Sequence, residues 1–188
     1  RLFKSQPEIK LMQKAADISV AAHQRAMKIC KPGMFEYELE AEYLHEFQRN
    51  GATWAYSSIV GSGANACILH YVENNQKMKD GDLVLIDAGA EYQGYDADIT
   101  RTFPVNGKFS VPQREIYEVV LDAQKAAIAK VVPGNHWNDP HNAAVKTLTK
   151  GMVELGLLKG TVSKLIKEEA YRQYYMHRTG HWLGMDVH

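Results

Sequence analysis

Apolar residues recur at helical spacing through the first 50 positions of the chain. The run Ser5-Gln6-Pro7-Glu8 has the capping residues and early proline of a helix start, and Lys31-Pro32-Gly33 has the residues of a helix end. A second periodic stretch covers residues 35–50 and is followed by Gly51. The pattern predicts two amphipathic helices that each bury one face.

Strand-like patterns follow this helix pair. Residues 56–60 and 67–71 predict short strands, and the linking Gly61-Ser62-Gly63 lacks the lysine and following helix of a phosphate-binding loop. From residue 82 to 105, two β-rich arms flank a polar centre that contains Gly94. This last segment predicts a β-hairpin.

The second half repeats the order of the first. Ser110-Val111-Pro112-Gln113 predicts the start of a helix that ends near Gly134, and residues 139–155 predict its partner. Gly134 lies 134 − 33 = 101 residues after Gly33, its counterpart in the first half. The repeated order predicts two similar halves. Residues 161–175 predict one further helix with a charged, solvated face.

Composition narrows the class of protein. A length of 188 residues favours one domain, and 22 basic against 22 acidic residues give no electrostatic reason to expect nucleic acid or a membrane surface as partner. No apolar stretch approaches 18 residues, and no signal-peptide pattern opens the chain. Only two cysteines are present, which is typical of reduced thiols. We therefore expect a cytoplasmic protein.

Two aspartates on the predicted hairpin are the first candidates for chemistry. With the turn centred between Tyr92 and Gln93, opposed residues sum to 185, so Asp87 faces Asp98. Opposed Cβ atoms lie roughly 5 Å apart, where two ionised carboxylates repel unless a cation lies between them. The alternative is that both acids are solvated at a sheet edge. Asp96 shares their face, but its place beside the turn predicts a solvated acid.

Histidines concentrate at the end of the chain, where His177, His181 and His188 fall within twelve positions. The spacing of the first two matches a helical zinc-binding pair, but Gly180 and Gly184 disfavour a helix and the required glutamate is missing. An extended segment fits better, because glycines let the backbone approach a ligand while imidazoles project into the same cavity.

Four motifs, in order and with matching spacings over nearly the whole chain, resemble the catalytic domain of the bacterial Xaa-Pro aminopeptidases, the aminopeptidase P family. The motifs are Ile68–Tyr71, Leu85–Gly89, Asp98–Pro104 and Gly180–His188. The resemblance implies an α+β fold, the pita-bread fold shared with prolidase, methionine aminopeptidase and creatinase. In that fold, duplicated helix pairs lie on a curved, mostly antiparallel sheet.

By the same resemblance, residues 1–188 are one incomplete catalytic metallopeptidase domain, truncated at the C-terminus. An N-terminal domain would precede Arg1, and the last strands, with two further glutamate ligands, would follow His188. The 188 residues alone are therefore expected to be inactive. The full-length protein is expected to be a homo-oligomer.

The resemblance also implies a site with two divalent metal ions, and Mn²⁺ is the metal expected there. Asp87 would bridge or chelate one ion, Asp98 would bridge both, and His181 would be the single imidazole ligand. The ions would activate a bridging water, and oxygen-dominated ligation favours manganese.

Four more residues acquire implied roles near the substrate. His70 and His177 would lie beside the scissile and prolyl region, His188 would polarise the carbonyl group, and Tyr56 would line the pocket. Arg178 departs from the small residue that the family pattern has after its first histidine, so the match at His177 is weaker than the match at His181.

The activity implied is hydrolysis of the bond between an N-terminal residue and a penultimate proline. Two alternatives stay open from the sequence. A prolidase would share the ligands but cleave Xaa-Pro dipeptides. A non-catalytic pita-bread module would bind a partner without metal, although such modules are expected to lose the acid pair or the imidazole ligand.

Overall fold

The computed structural model describes residues 2–186, and the chain divides into two compact units. The first unit comprises residues 2–109 and 182–186, and the second comprises residues 110–181. The prediction of one incomplete catalytic domain spans both units and stays a prediction.

The first unit begins with the two helices that the sequence predicts. They are α1 (Gln6–Ile29) and α2 (Glu36–Arg49). The backbone N–H of Ser5 donates to the Glu8 carboxylate over 2.6 Å, which stabilises the first turn of α1. Gly33 separates the helices with a φ of 93°, a conformation that glycine adopts without strain.

Six strands form two antiparallel three-stranded sheets in the first unit. One sheet has the order β2-β3-β6 and the other has the order β1-β4-β5. The strands are β1 (Thr53–Trp54), β2 (Ile59–Ser62), β3 (Leu83–Asp87), β4 (Ala90–Tyr92), β5 (Tyr95–Asp96) and β6 (Thr100–Pro104).

Strand β3 carries the core on one face and the candidate site on the other. Val84 and Ile86 are fully buried, whereas Leu85 and Asp87 alternate with them and are half-buried. Tyr43 and Phe47 of α2 are fully buried in the same apolar cluster. Each large side chain buried in this way contributes about 1.5–3 kcal/mol. The helices therefore fix the sheet that bears Asp87.

The register of the hairpin differs from the predicted register. Asp87 pairs with Thr100 rather than Asp98, so opposed residues sum to 187. The reason is the turn, in which Gln93 and Gly94 are the central residues with φ values of 53° and 80°. Positive φ at both central residues is typical of the tightest hairpin turns. Asp87 and Asp98 are consequently diagonal neighbours on one face.

The predicted strand at residues 67–71 is wrong. The chain forms a 3₁₀ helix, Gly63–Cys67, and then an irregular loop. A buried side chain takes the place of a strand at the edge of β2. The side-chain carbonyl of Asn74 accepts a hydrogen bond from the backbone N–H of Val60 over 2.9 Å. The side-chain NH₂ of Asn74 donates to the backbone carbonyl of Ser58 over 2.8 Å. These bonds satisfy the edge locally.

The second unit confirms the repeated helix pair. Ser110 and Gln113 form the predicted capping box, and Gly134 has a φ of 89°, close to the 93° of Gly33. The equivalent joints of the two halves thus have the same backbone conformation. The helices are α3 (Val111–Ile128), α4 (Asp139–Glu154) and α5 (Val162–Lys167).

The helix predicted over residues 161–175 is wrong in length. It ends as α5 at Lys167, and a 3₁₀ helix, Ala170–Gln173, follows. Glu169 between them has a left-handed φ of 52°. This break turns the chain so that Tyr171 is buried in the cluster of apolar residues on α3, α4 and α5.

Between residues 2 and 186, none of the helices combines the length and the apolarity needed to cross a bilayer.

A buried histidine on α1 makes the stability of the first unit depend on pH. His23 is 3% exposed, and burial lowers its pKa to about 4, partly opposed by hydrogen bonds to the backbone of Ala88 and Ile99. Between pH 6.5 and 4 the unfolded chain therefore binds the extra proton. We expect on the order of 3 kcal/mol of stability to be lost as the pH falls through this range.

Chemical denaturation at several pH values checks this expectation. A His23→Gln variant should show a flatter loss of stability between pH 6.5 and 4, because no imidazole remains to be protonated. Exposed His45 on α2 provides the matched control, His45→Gln. An unchanged slope in His23→Gln would assign the acid sensitivity to other groups.

Candidate functional site

Three side chains meet on the half-buried face of the first unit. The Tyr56 hydroxyl lies 2.6 Å from a carboxylate oxygen of Asp87 and 3.0 Å from one of Asp98. Asp87 also interacts directly with Asp98 and accepts a hydrogen bond from Thr100. The sequence prediction that the two aspartates are close is therefore confirmed, although they are diagonal rather than opposed.

Backbone contacts at Gly89 bring Tyr56 to the aspartates. The backbone N–H of Ala55 donates to the Gly89 carbonyl over 2.9 Å, which continues the pairing of β1 with β4. A Cβ placed on Gly89 would lie 1.6 Å from the carbonyl oxygen of Ala97 and 3.1 Å from the Tyr56 ring. Only a glycine permits this approach, and it holds the chain before Asp98 against the chain after Asp87.

The electrostatics of the pair favour a bound cation. Burial raises the pKa of Asp87, a hydrogen bond from Tyr56 opposes this rise, and the charge of Asp98 adds to it. Burial and the two carboxylates also raise the pKa of Tyr56, so its hydroxyl keeps its proton. The Tyr56 hydroxyl has one proton for the two carboxylates. A positive ion would relieve the repulsion that remains between Asp87 and Asp98.

The donor set fits part of a divalent-metal site. Carboxylate oxygens are the ligands that Mg²⁺ and Mn²⁺ prefer, and two of them converge here. Within residues 2–186, no group of three or more His, Cys, Asp or Glu side chains is arranged to hold a metal ion. Asp87 and Asp98 therefore fit as two ligands of a larger set.

Asp96 is placed differently from the sequence prediction. It is only 8% exposed, because it lies in β5 and the segment that contains Gly184 packs against it. Its backbone N–H donates to the Gly184 carbonyl over 2.9 Å. Gly184 belongs to residues 182–186 of the first unit, and His181 immediately precedes that segment in the sequence.

The loop that carries His70 is held by a buried carboxylate that sequence reasoning missed. His70 is exposed and has a left-handed φ of 57°. Glu36 is fully buried and accepts five hydrogen bonds between 2.7 and 3.2 Å from this loop and the strand before it. The donors are the backbone N–H and hydroxyl of Ser62, the Asn65 amide, the Tyr71 hydroxyl and the backbone N–H of Gln76.

Glu36 is charged in the folded chain. Burial raises its pKa, but hydrogen bonds from Gln76, Tyr71 and Ser62 together outweigh burial and hold the pKa below its ordinary value. The carboxylate thus fixes both ends of the His70 loop to the start of α2.

Removing donors or charge at Glu36 is expected to destabilise the first unit. Tyr71→Phe deletes one hydrogen bond to a charged group and should lower the free energy of unfolding by about 2 kcal/mol. Glu36→Gln should lower it by about 3 kcal/mol, because the NH₂ group of the glutamine would face hydrogen-bond donors. Equilibrium urea unfolding measures both. The exposed Glu73→Gln on the same loop should stay within about 0.5 kcal/mol of wild type. A Tyr71→Phe variant as stable as wild type would contradict this role.

The other candidate histidines, His177, His181 and His188, lie in the second unit or outside the described residues. His177 and His181 are exposed at the end of the second unit. His177 contacts the Tyr175 ring edge-to-face with centroids 4.9 Å apart, and the Tyr175 hydroxyl lies 2.7 Å from the Thr179 hydroxyl. His141 also contacts Thr179, over 2.8 Å. His188 lies outside the described residues.

Known proteins resemble this chain throughout its length. The sequence pattern described as metallopeptidase family M24 matches residues 10–188. The Xaa-Pro aminopeptidase of Haemophilus influenzae is 58% identical over 100% of this chain, which spans 44% of that relative.

Solved structures of aminopeptidases also match this chain over its whole length. Aminopeptidase PepP of Pseudomonas aeruginosa is 59% identical with a TM-score of 0.99 over 100% of this chain and 43% of that one. Zinc-substituted Escherichia coli aminopeptidase P in complex with product is 54% identical with a TM-score of 0.98, again over 100% and 43%. The α+β pita-bread fold predicted from the sequence is confirmed by these matches.

Proposed function

Because the chain belongs to metallopeptidase family M24, we propose that the natural protein containing it is a metal-dependent aminopeptidase that releases an N-terminal residue when proline is second. The chain spans less than half the length of the relatives compared above, so this activity is proposed for the whole protein. The names of those relatives describe aminopeptidases, and one describes a product complex.

The observation that carries the proposal is the cluster of Tyr56, Asp87 and Asp98. Its carboxylates lie at 2.6 and 3.0 Å from one hydroxyl, and burial together with the charge of Asp98 raises the pKa of Asp87. We assign Asp87 and Asp98 as ligands of two divalent ions, with His181 as the imidazole ligand. Oxygen-dominated ligation favours Mn²⁺ over Zn²⁺ or Cu²⁺. Ions of this kind lower the pKa of water and polarise a carbonyl group.

Other side chains of this protein orient the metal ligands and the peptide substrate. Tyr56 keeps its proton and donates it toward the aspartates, which fixes the direction of their oxygens. His70 is exposed on a loop fixed by Glu36, where it can contact a peptide. His177 is assigned to the prolyl region, and His188 to donating a hydrogen bond to the scissile carbonyl oxygen as negative charge develops.

A substrate panel tests this function. Purified natural protein, stripped with a chelator and reloaded with Mn²⁺, should release the first residue from Xaa-Pro-Xaa peptides and leave matched Xaa-Ala-Xaa peptides uncleaved. Cleavage of Xaa-Pro dipeptides but not of the longer peptides would instead indicate a prolidase. Full activity after exhaustive chelation, or none with any divalent ion, would contradict the proposal.

Two further expectations stay predictions. We propose a reducing, cytoplasmic location, supported by the free state of Cys30 and Cys67 in the described structure. We also propose that the natural protein is a homo-oligomer. Fractionation and light scattering, respectively, test these two expectations.

A further inference from the structure

A directed hydrogen-bond chain lies behind the aspartate pair, on the buried side of the sheet. His23 Nε2 lies 3.3 Å from the carbonyl oxygen of Ala88, and His23 Nδ1 lies 2.7 Å from the hydroxyl of Tyr43. A carbonyl can only accept, so Nε2 carries the proton and Nδ1 accepts from the tyrosine hydroxyl. The chain therefore runs from Tyr43 through the imidazole to Ala88.

The imidazole contacts the backbone directly after both aspartates. Ala88 follows Asp87, and the backbone of Ile99, which also hydrogen-bonds with His23, follows Asp98. Ala88 and Ile99 are themselves joined, with the N–H of Ala88 donating to the Ile99 carbonyl over 3.2 Å. One side chain from α1 thus anchors the two backbone positions that set the separation of the carboxylates.

This anchor has little freedom to move. His23 is 3% exposed, Tyr43 and Ala88 are fully buried, and the two rings meet edge-to-face with centroids 4.9 Å apart. Burial excludes both side chains from contact with a substrate or a metal ion. Any influence on the reaction must therefore act through the backbone of the aspartates.

We propose that His23 and Tyr43 are positioning residues that hold the carboxylates of Asp87 and Asp98 in the arrangement that binds divalent metal. This inference rests on the proposed function, because it concerns the same site. Groups that orient metal ligands typically change metal affinity by about 10- to 100-fold when removed. A backbone shift at Ala88 would move the ligands without removing either of them.

Manganese affinity of the natural full-length protein tests this role. Apo protein is titrated with Mn²⁺, and free ion is measured by electron paramagnetic resonance. His23→Leu should weaken binding by about 10- to 100-fold, and Tyr43→Phe should weaken it by about 3- to 10-fold. His23→Gln should restore most of the affinity, because its amide N–H can occupy the position of Nε2–H.

The controls separate positioning from stability alone. Thr149→Val removes a buried hydrogen bond of 2.7 Å in the second unit and should leave Mn²⁺ affinity unchanged. If His23→Leu does not fold, Tyr43→Phe carries the test, since it deletes only a hydroxyl. Wild-type affinity in folded Tyr43→Phe and His23→Leu, or equal losses in His23→Leu and His23→Gln, would overturn the inference. Absence of Mn²⁺ binding by wild type would instead overturn the proposed function.

Discussion

An Asp87→Asn variant of the natural protein is expected to lose at least about 10³-fold in kcat/KM for an Xaa-Pro-Xaa peptide. Asparagine keeps the shape of the side chain and the hydrogen bond from Tyr56, but it removes the negative charge that would hold a divalent ion. The assay is steady-state release of the first residue at saturating Mn²⁺. The matched control is Asp80→Asn, an exposed acid in the same unit.

The same variant should be at least as stable as wild type without metal. The folded-state pKa of Asp87 is raised, so the fold loses stability as the pH rises from the ordinary pKa of an aspartate to the raised one, and the loss is complete above it. Thermal unfolding in chelator should therefore show an equal or higher midpoint for Asp87→Asn. Added Mn²⁺ should raise the midpoint of wild type but not of the variant. In the activity assay, turnover by Asp87→Asn within tenfold of wild type would contradict the assignment of Asp87 as a metal ligand.

A Gly89→Ala variant is expected to destabilise the first unit strongly. The new Cβ would lie 1.6 Å from the Ala97 carbonyl oxygen and 2.6 Å from the Ala97 carbonyl carbon, so one backbone segment must move. Overpacking against backbone should cost about 3 kcal/mol or more and lower the unfolding midpoint by roughly 10 °C. Circular dichroism during heating measures this change.

Gly180→Ala provides the matched control for Gly89→Ala. A Cβ at Gly180 meets no atom within 4 Å, so the unfolding midpoint should change little. A Gly89→Ala variant with wild-type stability would show that the chain near Ala97 relaxes easily. The same result would weaken the argument that this contact fixes the aspartate pair.

Local sequence signals were sufficient to predict helices α1 to α4 and the acid pair, but not the early end of α5 at Lys167. The capping boxes at Ser5 and Ser110 and the glycines after these four helices act within one or two turns, so their effect is visible in the sequence. The proximity of Asp87 and Asp98 followed from a hairpin pattern alone. The exact register did not, because the turn position depends on the conformations of Gln93 and Gly94 rather than on the centre of the polar segment.

The residues that support the site could not be found from local patterns. Glu36 accepts donors from residues 62 to 76, and no short-range signal distinguishes it from the solvated acids on the same helix. His23 contacts a backbone 65 residues away. Such contacts form only when helix and sheet pack together. The irregular loop at residues 67–71 could not be predicted for the same reason, since the Tyr71 hydroxyl bonds to the distant Glu36 carboxylate and the Asn74 side chain, rather than a strand, bonds to Val60 of β2.

The most direct test of the proposed metal centre is the location of manganese in crystals of the natural protein grown with Mn²⁺. An anomalous difference map should show a peak within about 2.5 Å of carboxylate oxygens of both Asp87 and Asp98. The peak should be lost in Asp87→Asn crystals of the same form. Fully loaded crystals with no manganese at this pair, or with manganese only elsewhere, would contradict the account.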